Sequence, residues 1–600
     1  MVQCSHSHTH TNTDPSSSIY LQVVRDWSVS VTCSITSQSV EVRKLVPERI
    51  IWVEKVGLCS AVTIRKYTRE KYFCCVDFLL HQVKVQLFAH CTLVPQTLRM
   101  ANTAANLTGT QPKAVLFNQQ DFIQLRSDCL KSGSLFCDPT FPGSSTSLGD
   151  RELGPNSAKT KGVVWKRPTE LCTDPQFIVN GATRTDVCQG ALGDCWLMAA
   201  MASLTLDPQI LNRVVPTGQS FTSQYVGIFH FQLWRFGQWV DVVVDDRLPT
   251  RDGKLLFNHS AQKKEFWSAL LEKAYAKVNG SYEALIGGSS IEGFEDFTGG
   301  ISESYDLKEA PPFLFNIMRK ALQLGSLLSC DISISSDKEV EKVTDQKLVK
   351  GHAYSITAVE QVHYCGSLVE LLRIRNPWGY REWTGAWSDK SKEWDQVLPE
   401  EKQKLNYSAE DGEFWMSYKE FLLQYSSLKI CNLTPDTLCS DQVGCWNWAV
   451  FEGEWKVGST AGGCSNYPKT FCLNPQFFIR LEDVDDDPHD GVDGCTILIS
   501  LMQKDTRKKR EELSNIGFVI HKVPDEYKGR TNIRLGPDIL LKRNPVARIK
   551  IFRNLREVCE RFKLPPGDYV LIPSTFEPNH GGTFILRVFT EKEAHTSLIP

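Results

Sequence analysis

The 600-residue chain contains no run approaching the roughly 20 apolar residues that a membrane-spanning helix needs, so none is expected. Its first residues, MVQCSHSHTHTNTDPSSS, lack the apolar core of a secretory signal. Neither sign of charge is in excess. The 67 Lys and Arg against 70 Asp and Glu leave -3, which gives no overall pull toward nucleic acid or anionic membrane. Zinc-finger pairs of the C-x-x-C type are missing, although the chain has 20 cysteines. They are scattered, and only Cys74 and Cys75 are adjacent. These absences point to a reducing, cytoplasmic compartment, where the sequons at Asn106, Asn258, Asn279, Asn406 and Asn432 read as chance. An EF-hand is excluded in the acidic run EDVDDDPHDGVDG (482–494). Counted from Asp483, its sixth and twelfth places hold Pro488 and Gly494, where the loop requires Gly and Glu.

What is present is ordinary in bulk and specific in places. A hydrophobic content of 42% and a charged content of 23% are globular values, and the length calls for three or four domains. Residues 1–115 show no clean helical or strand period and are expected to be divergent or poorly ordered. The alternating His6, His8 and His10 read there as a solvated tail. Beyond 116 the signals sharpen. Residues 133–155 are loop, rich in Pro, Gly and Ser, and 195–205 read as a helix apolar on every face. EFWSALLEKAYAKVNG (265–280) reads as an amphipathic helix stopped at Asn279-Gly280. Gly299-Gly300 looks like a hinge between a mainly helical region and a strand-rich one. GHAYSITAV and LLRIRNPWG are the strands flanking His352 and Asn376. After about 445, CTILISLMQ, IGFVIHKV, DYVLIPSTF and TFILRVFT predict a β-sandwich.

QGALGDCWLMAAMASLT (189–205) places Cys195 at the mouth of that apolar helix, where unpaired N–H groups favour a thiolate. A thiol protease needs such a Cys, a His within reach and a side chain that orients the His. The order Cys195, His352, Asn376 is the papain-like order, and Gln189 can add a side-chain amide to the Cys195 N–H as an oxyanion hole. Spacing alone does not separate this reading from plain packing.

QGALGDCWL, KGHAYS and RIRNPWG are similar to the three active-site blocks of the calpains. WKRPTELCTDPQF, VVVDDRLPTRDGKLLF, EGFEDFTGG, EDGEFWMSY, CNLTPDTL, GSTAGGC and RFKLPPGDY resemble further tracts of their large subunits. The resemblance runs from about 116 to the end. It implies an α+β multidomain protein, with a papain-like two-lobed core at 116–300 and 301–445 and a C-two-like β-sandwich at 446–600. It implies a calcium-dependent intracellular cysteine endopeptidase acting on protein substrates, with Cys195 as nucleophile, His352 as base, Asn376 as orienter and Gln189 as oxyanion donor. A catalytically silent calcium- or phospholipid-binding scaffold is the alternative. It implies two Ca2+ ions in the core. One would be held by Asp186, Glu265 and the carbonyls of Val179 and Gly181. The other would be held by Glu382, Asp389, Asp411, Glu413 and the carbonyl of Ala409. Trp378 would gate the site as a wedge, and Arg184 would link the lobes through Glu413. The acidic run would contact the core or a phospholipid surface, with KDTRKKR (504–510) as its basic counterpart, although a solvated charge run is the commoner fate of such a stretch. The penta-EF-hand region that recruits a small subunit does not follow Pro600, so small-subunit pairing is not expected, and no nucleic-acid partner is expected either.

Overall fold

In a computed structural model, the protein is described at residues 18–22, 30–36, 39–46, 49–50, 114–405, 411–433, 447–482, 484, 494–504, 506–509, 512–590, 592 and 594–599. Two compact units divide the chain, 1–100 and 101–600. In the first, the strands Ser18–Gln22, Ser30–Thr36, Ser39–Val46 and Arg49–Ile50 form an antiparallel meander. The sequence shows no clean strand period there, yet SVTCSIT and SVEVRKLV carry enough β-branched residues to form strands. His6, His8, His10 and the Cys74–Cys75 pair lie outside the described residues.

The second unit holds mixed helices and several sheets. Helix α1 (Cys195–Leu204) begins after Asp194 and is built from Ala, Leu and Met, strong helix formers without charge. Every residue from Trp196 to Leu204 is buried, as its charge-free composition predicts. Helix α2 (Trp267–Asn279) stops at Gly280, whose φ of 98° suits glycine at a helix end. Its pattern predicts one wet face, but the whole helix is buried. The polar positions are matched inside instead. Lys273 Nζ bonds Asp245 Oδ1 at 2.6 Å and the carbonyls of Asp245 and Arg247, while Lys277 Nζ bonds Asp138 Oδ2 at 2.6 Å. Such buried ammonium groups persist because each is paired and hydrogen-bonded. The region before Gly299 is also less purely helical than expected. Ile228–Arg235 and Gln238–Asp245 form a hairpin whose turn, Phe236-Gly237, has positive φ at both residues. Helices α1 and α2 and this hairpin share one core.

Helix α3 (Ser290–Thr298) leads through Gly299-Gly300 into a six-stranded antiparallel sheet. Its strands are β1 (Ile301–Asp306), β2 (Leu327–Asp331), β3 (Ala353–Tyr364), β4 (Ser367–Arg375), β5 (Glu413–Ser417) and β6 (Ser427–Asn432), in the order β1-β6-β2-β3-β4-β5. Helix α1 packs on β2 and β3. Ser203 Oγ reaches the Leu328 carbonyl and Ser355 Oγ the Ala199 carbonyl, so the helix that starts at Cys195 is fixed against the strand that starts after His352.

Nine further strands follow among the described residues: β7 (Asn447–Trp455), β8 (Gln476–Leu481), β9 (Cys495–Gln503), β10 (Ile516–Lys522), β11 (Ala547–Arg548), β12 (Glu557–Leu564), β13 (Gly567–Thr575), β14 (Gly582–Thr590) and β15 (Ala594–Ile599). They form two antiparallel sheets, β7-β14-β9-β12 and β11-β10-β13-β8-β15, with a common apolar core that includes Ile499, Phe518, Leu571 and Leu586. Arg556, just before β12, and Arg587 of β14 grip α3 and the glycines after it. Arg556 bonds Asp296 Oδ1 at 2.9 Å and Glu295, and Arg587 bonds the carbonyls of Gly299 and Gly300 at 3.0 Å.

Candidate active site

The loop before α1 is held from two sides. Cys188 pairs its backbone with His259, and the Gln189 N–H donates to the Pro377 carbonyl at 2.9 Å, tying this loop to the segment after Asn376. Gly190 sits so close to the chain at Leu256 and Phe257 that a Cβ would lie 2.2 Å from the Phe257 carbonyl oxygen, so only glycine passes there. Gln189 Nε2 donates to the Leu192 carbonyl at 2.7 Å, leaving its second amide hydrogen uncommitted.

Cys195 takes the first position of α1, and its thiol lies at the backbone N–H of Ala353, the residue after His352. His352 is 1% exposed and Asn376 fully buried. The orientation of Asn376 fixes the imidazole. Its Nδ2 donates to the Arg381 carbonyl at 3.0 Å, so its Oδ1 must be the atom that meets His352 Nε2 at 2.8 Å and accepts the Trp378 N–H at 3.1 Å. Nε2 therefore carries hydrogen, and Nδ1 is left as a base. The Trp378 ring lies 4.8 Å from the imidazole, with Tyr380 and Arg381 against its indole.

Burial drives both reactive groups toward their neutral forms. It pushes the Cys195 thiol up to about 11, with the Asp194 charge adding to the rise and the N–H groups of Ala353 and Trp196 opposing it. It pulls His352 down to about 4, against the Asn376 hydrogen bond. The helix N-terminus favours a thiolate as the sequence suggests, but desolvation outweighs it in this state.

The acids expected around calcium fall into two groups. Asp186 and Glu265 are both buried, and their carboxyl groups meet. Burial first, then Asp186, pushes Glu265 up to about 7. Val179 N–H donates to Glu265 at 2.7 Å, and Gly181 turns at a φ of 93°. In the other group Glu382 accepts the Gly412 N–H at 2.9 Å and Asp411 the Glu413 N–H at 3.0 Å, so both carboxylates converge on one turn. Burial, and then Glu413, raises Asp411. Glu413 itself pairs with Arg184 and, at 3.1 Å, with Arg373. Asp389 is half-buried in the turn at 389–390, and Ala409 lies outside the described residues. No cluster of three or more His, Cys, Asp or Glu stands ready for a metal among the described residues. Still, a buried carboxyl raised by the acid it meets suits a hard divalent cation. The Asp186–Glu265 pair fits calcium by its chemistry, as do Glu382 and Asp411, whereas Glu413 is already matched by two guanidinium groups.

One contact escaped the sequence. Arg507, within KDTRKKR, bonds both oxygens of Glu292 and the carbonyls of Ala284 and Gly287, and its guanidinium lies 4.7 Å over Trp196, next to the nucleophile. A solvated run would leave it free. Of the acidic run, residues 483 and 485–493 lie outside the described residues.

A half-buried thiol opening a buried helix, beside a His whose ring an Asn orients, is the equipment of a thiol peptidase. Comparison with known proteins agrees. Residues 136–432 match the family described as calpain family cysteine protease, and residues 451–589 match calpain large subunit, domain III. The calpain-2 catalytic subunit of Homo sapiens is 59% identical over 494 residues, covering 82% of this chain and 71% of that protein. The calpain-1 catalytic subunit of Gallus gallus is 58% identical over 492 residues, covering 82% and 70%. The chain belongs to the calpain family, and it is a calcium-dependent cysteine protease with proteins as its substrates. No described helix is long and apolar enough to cross a membrane.

Proposed function

We propose that Cys195, His352, Asn376 and Gln189 carry out limited endoproteolysis from a two-lobed papain-like core, with lobes at 116–300 and 301–445, followed by a C-two-like sandwich at 446–600. The observation that carries this reading is the hydrogen-bond chain through Asn376, which leaves Nδ1 of His352 basic on the strand whose next N–H meets the Cys195 thiol. The thiol gives its proton to His352 Nδ1 as the sulfur attacks the peptide carbonyl carbon. Moving that proton creates opposite charges side by side, which offsets the desolvation each would suffer alone. The developing oxyanion is held by the Cys195 N–H and the second hydrogen of Gln189 Nε2. The C–N bond then breaks, and the imidazolium protonates the leaving amine. Water gives a proton to His352 and attacks the thioester, releasing the acid and restoring the thiol.

Two cations would be held, one by Asp186, Glu265 and the carbonyls of Val179 and Gly181, the other by Glu382, Asp389, Asp411 and the carbonyl of Ala409, with Glu413 left to Arg184 and Arg373. Bound calcium supplies positive charge that lets these acids face one another ionised. Arg184 and Glu413 link the two halves, and Trp378 covers His352 until they align. Phospholipid contact through the sandwich completes the reading.

The test is casein cleavage by the purified chain with and without millimolar calcium, beside Cys195→Ala. Cleavage that requires both calcium and Cys195 supports the assignment. Cleavage by Cys195→Ala would overturn it, and no cleavage by either would favour a binding scaffold.

A further inference from the structure

Behind the nucleophile lies a carboxyl pair that the hydrolytic cycle does not use. Asp194 caps α1 through its backbone alone. Its carbonyl accepts from Leu197 at 2.9 Å and Met198 at 3.1 Å, while its side chain makes no capping bond. That side chain turns into the core, and the residue is only 1% exposed. There it comes within hydrogen-bonding reach of Glu272, in the middle of α2 and 2% exposed.

Among the described residues no cation balances the two. Glu272 receives the Asn258 N–H at 3.3 Å on each oxygen, and Asp194 has only its own backbone N–H. Lys273, the next residue on α2, is turned to Asp245 and Arg247. Tyr282 faces the pair with a buried hydroxyl that has no partner, and the Asn258 amide is likewise buried and unpaired. Neither Asp194 oxygen receives a side-chain donor other than the Glu272 carboxyl. Two touching carboxylates at this depth cannot both stay ionised, and one proton between them makes a short, strong O–H···O bond.

We propose that Asp194 and Glu272 share one proton, and that this pair is a positioning device which limits the negative charge behind Cys195 and so sets how readily its thiol ionises. Burial pushes Asp194 up to about 7 and Glu272 well above the usual carboxylate range, the latter helped by the Asp194 charge. The thiol itself faces Asp194 and Glu341, which both hold it protonated, and the N–H groups of Ala353 and Trp196, which do the reverse. The proposal rests on Cys195 being the reactive thiol. Its readout is labelling rather than cleavage, so it fails separately from the protease assignment.

The test is the rate of iodoacetamide labelling of the Cys195 peptide, followed by mass spectrometry in the full chain with saturating calcium, between pH 5 and 10. Asp194→Asn moves the remaining charge to Glu272, farther from the sulfur. The ionisation midpoint should fall by about one pH unit, a roughly tenfold faster labelling on its acid side. Glu272→Gln leaves Asp194 to carry the whole charge beside the thiol, and the midpoint should rise by about the same amount. Opposite shifts support the shared proton, since a loss of packing would move both variants alike. Shifts of the same sign, or none, overturn it. If either single variant fails to fold, the double variant Asp194→Asn, Glu272→Gln is measured in its place. A midpoint below that of the unaltered protein then supports the proposal, and one at or above it overturns the proposal.

Discussion

The two groups of acids beside the site hold similar residues in opposite electrostatic circumstances. Glu413 ends between Arg184 and Arg373, so its charge is matched by the protein itself. Asp186 and Glu265 meet each other with no guanidinium between them, and Glu265 is pushed up to about 7. Composition does not separate the two groups, because each shows acids scattered in a calpain-like tract. Packing does. Glu413 is matched as built and links two parts of the chain, while Glu265 is held in tension that a cation or a proton relieves.

The largest effect is expected where the charge is already matched. Glu413→Ala leaves two partly buried guanidinium groups without their carboxylate, a loss of about 3 kcal/mol for a pair of this burial. Because Arg184 precedes the nucleophile loop and Arg373 lies in β4, the variant should also need more calcium for half-maximal casein cleavage. Urea unfolding reads the first effect and a calcium titration of activity the second. Wild-type calcium dependence in Glu413→Ala would remove Arg184 and Glu413 as a link.

A smaller and opposite effect is expected at the unmatched pair. Asp186→Asn removes the charge that disfavours ionised Glu265, so the calcium-free protein should be as stable as wild type or more so at pH 8. Its stabilisation by calcium should shrink, however. A ligand at a hundred times its dissociation constant adds about 2.7 kcal/mol, and a tenfold weaker site forfeits about half of that. Melting curves with and without calcium measure both. An undiminished calcium increment would take Asp186 out of the cation site.

Much of this architecture is legible in the residues. The charge-free CWLMAAMASL announces a helix buried all round, and the short apolar runs from Cys495 onward are the strands observed. The positions of His352 and Asn376 at strand ends are equally visible, because polar residues stop the apolar alternation there. What is not legible is whatever depends on partners far away in sequence. Glu272, Lys273 and Lys277 read as the wet side of α2, since their partners Asp194, Asp245 and Asp138 come from other segments. The hairpin before Gly299 had a readable signal in WVDVVVD and Phe236-Gly237, overshadowed by the stronger helical patterns around it. Desolvation of Cys195 was hidden for a different reason. A helix N-terminus can be seen from sequence, but the wall of β3 packed against it cannot.

The smallest expected effect isolates the tension in the first group. A carboxyl whose folded value is raised contributes stability that is fully present below its unfolded value, near 4.5, and is lost as pH climbs through the folded value. For Glu265 that window runs from about 4.5 to about 7. Calcium-free protein should therefore lose melting temperature across this window, and Glu265→Gln should flatten that part of the curve by about 2 °C. Saturating calcium should flatten it in the unaltered protein as well, because a cation in place of the proton removes the reason for the rise. A calcium-free curve that is already flat between those two pH values would mean that Asp186 and Glu265 are not in tension, and the contrast between the two groups would fail.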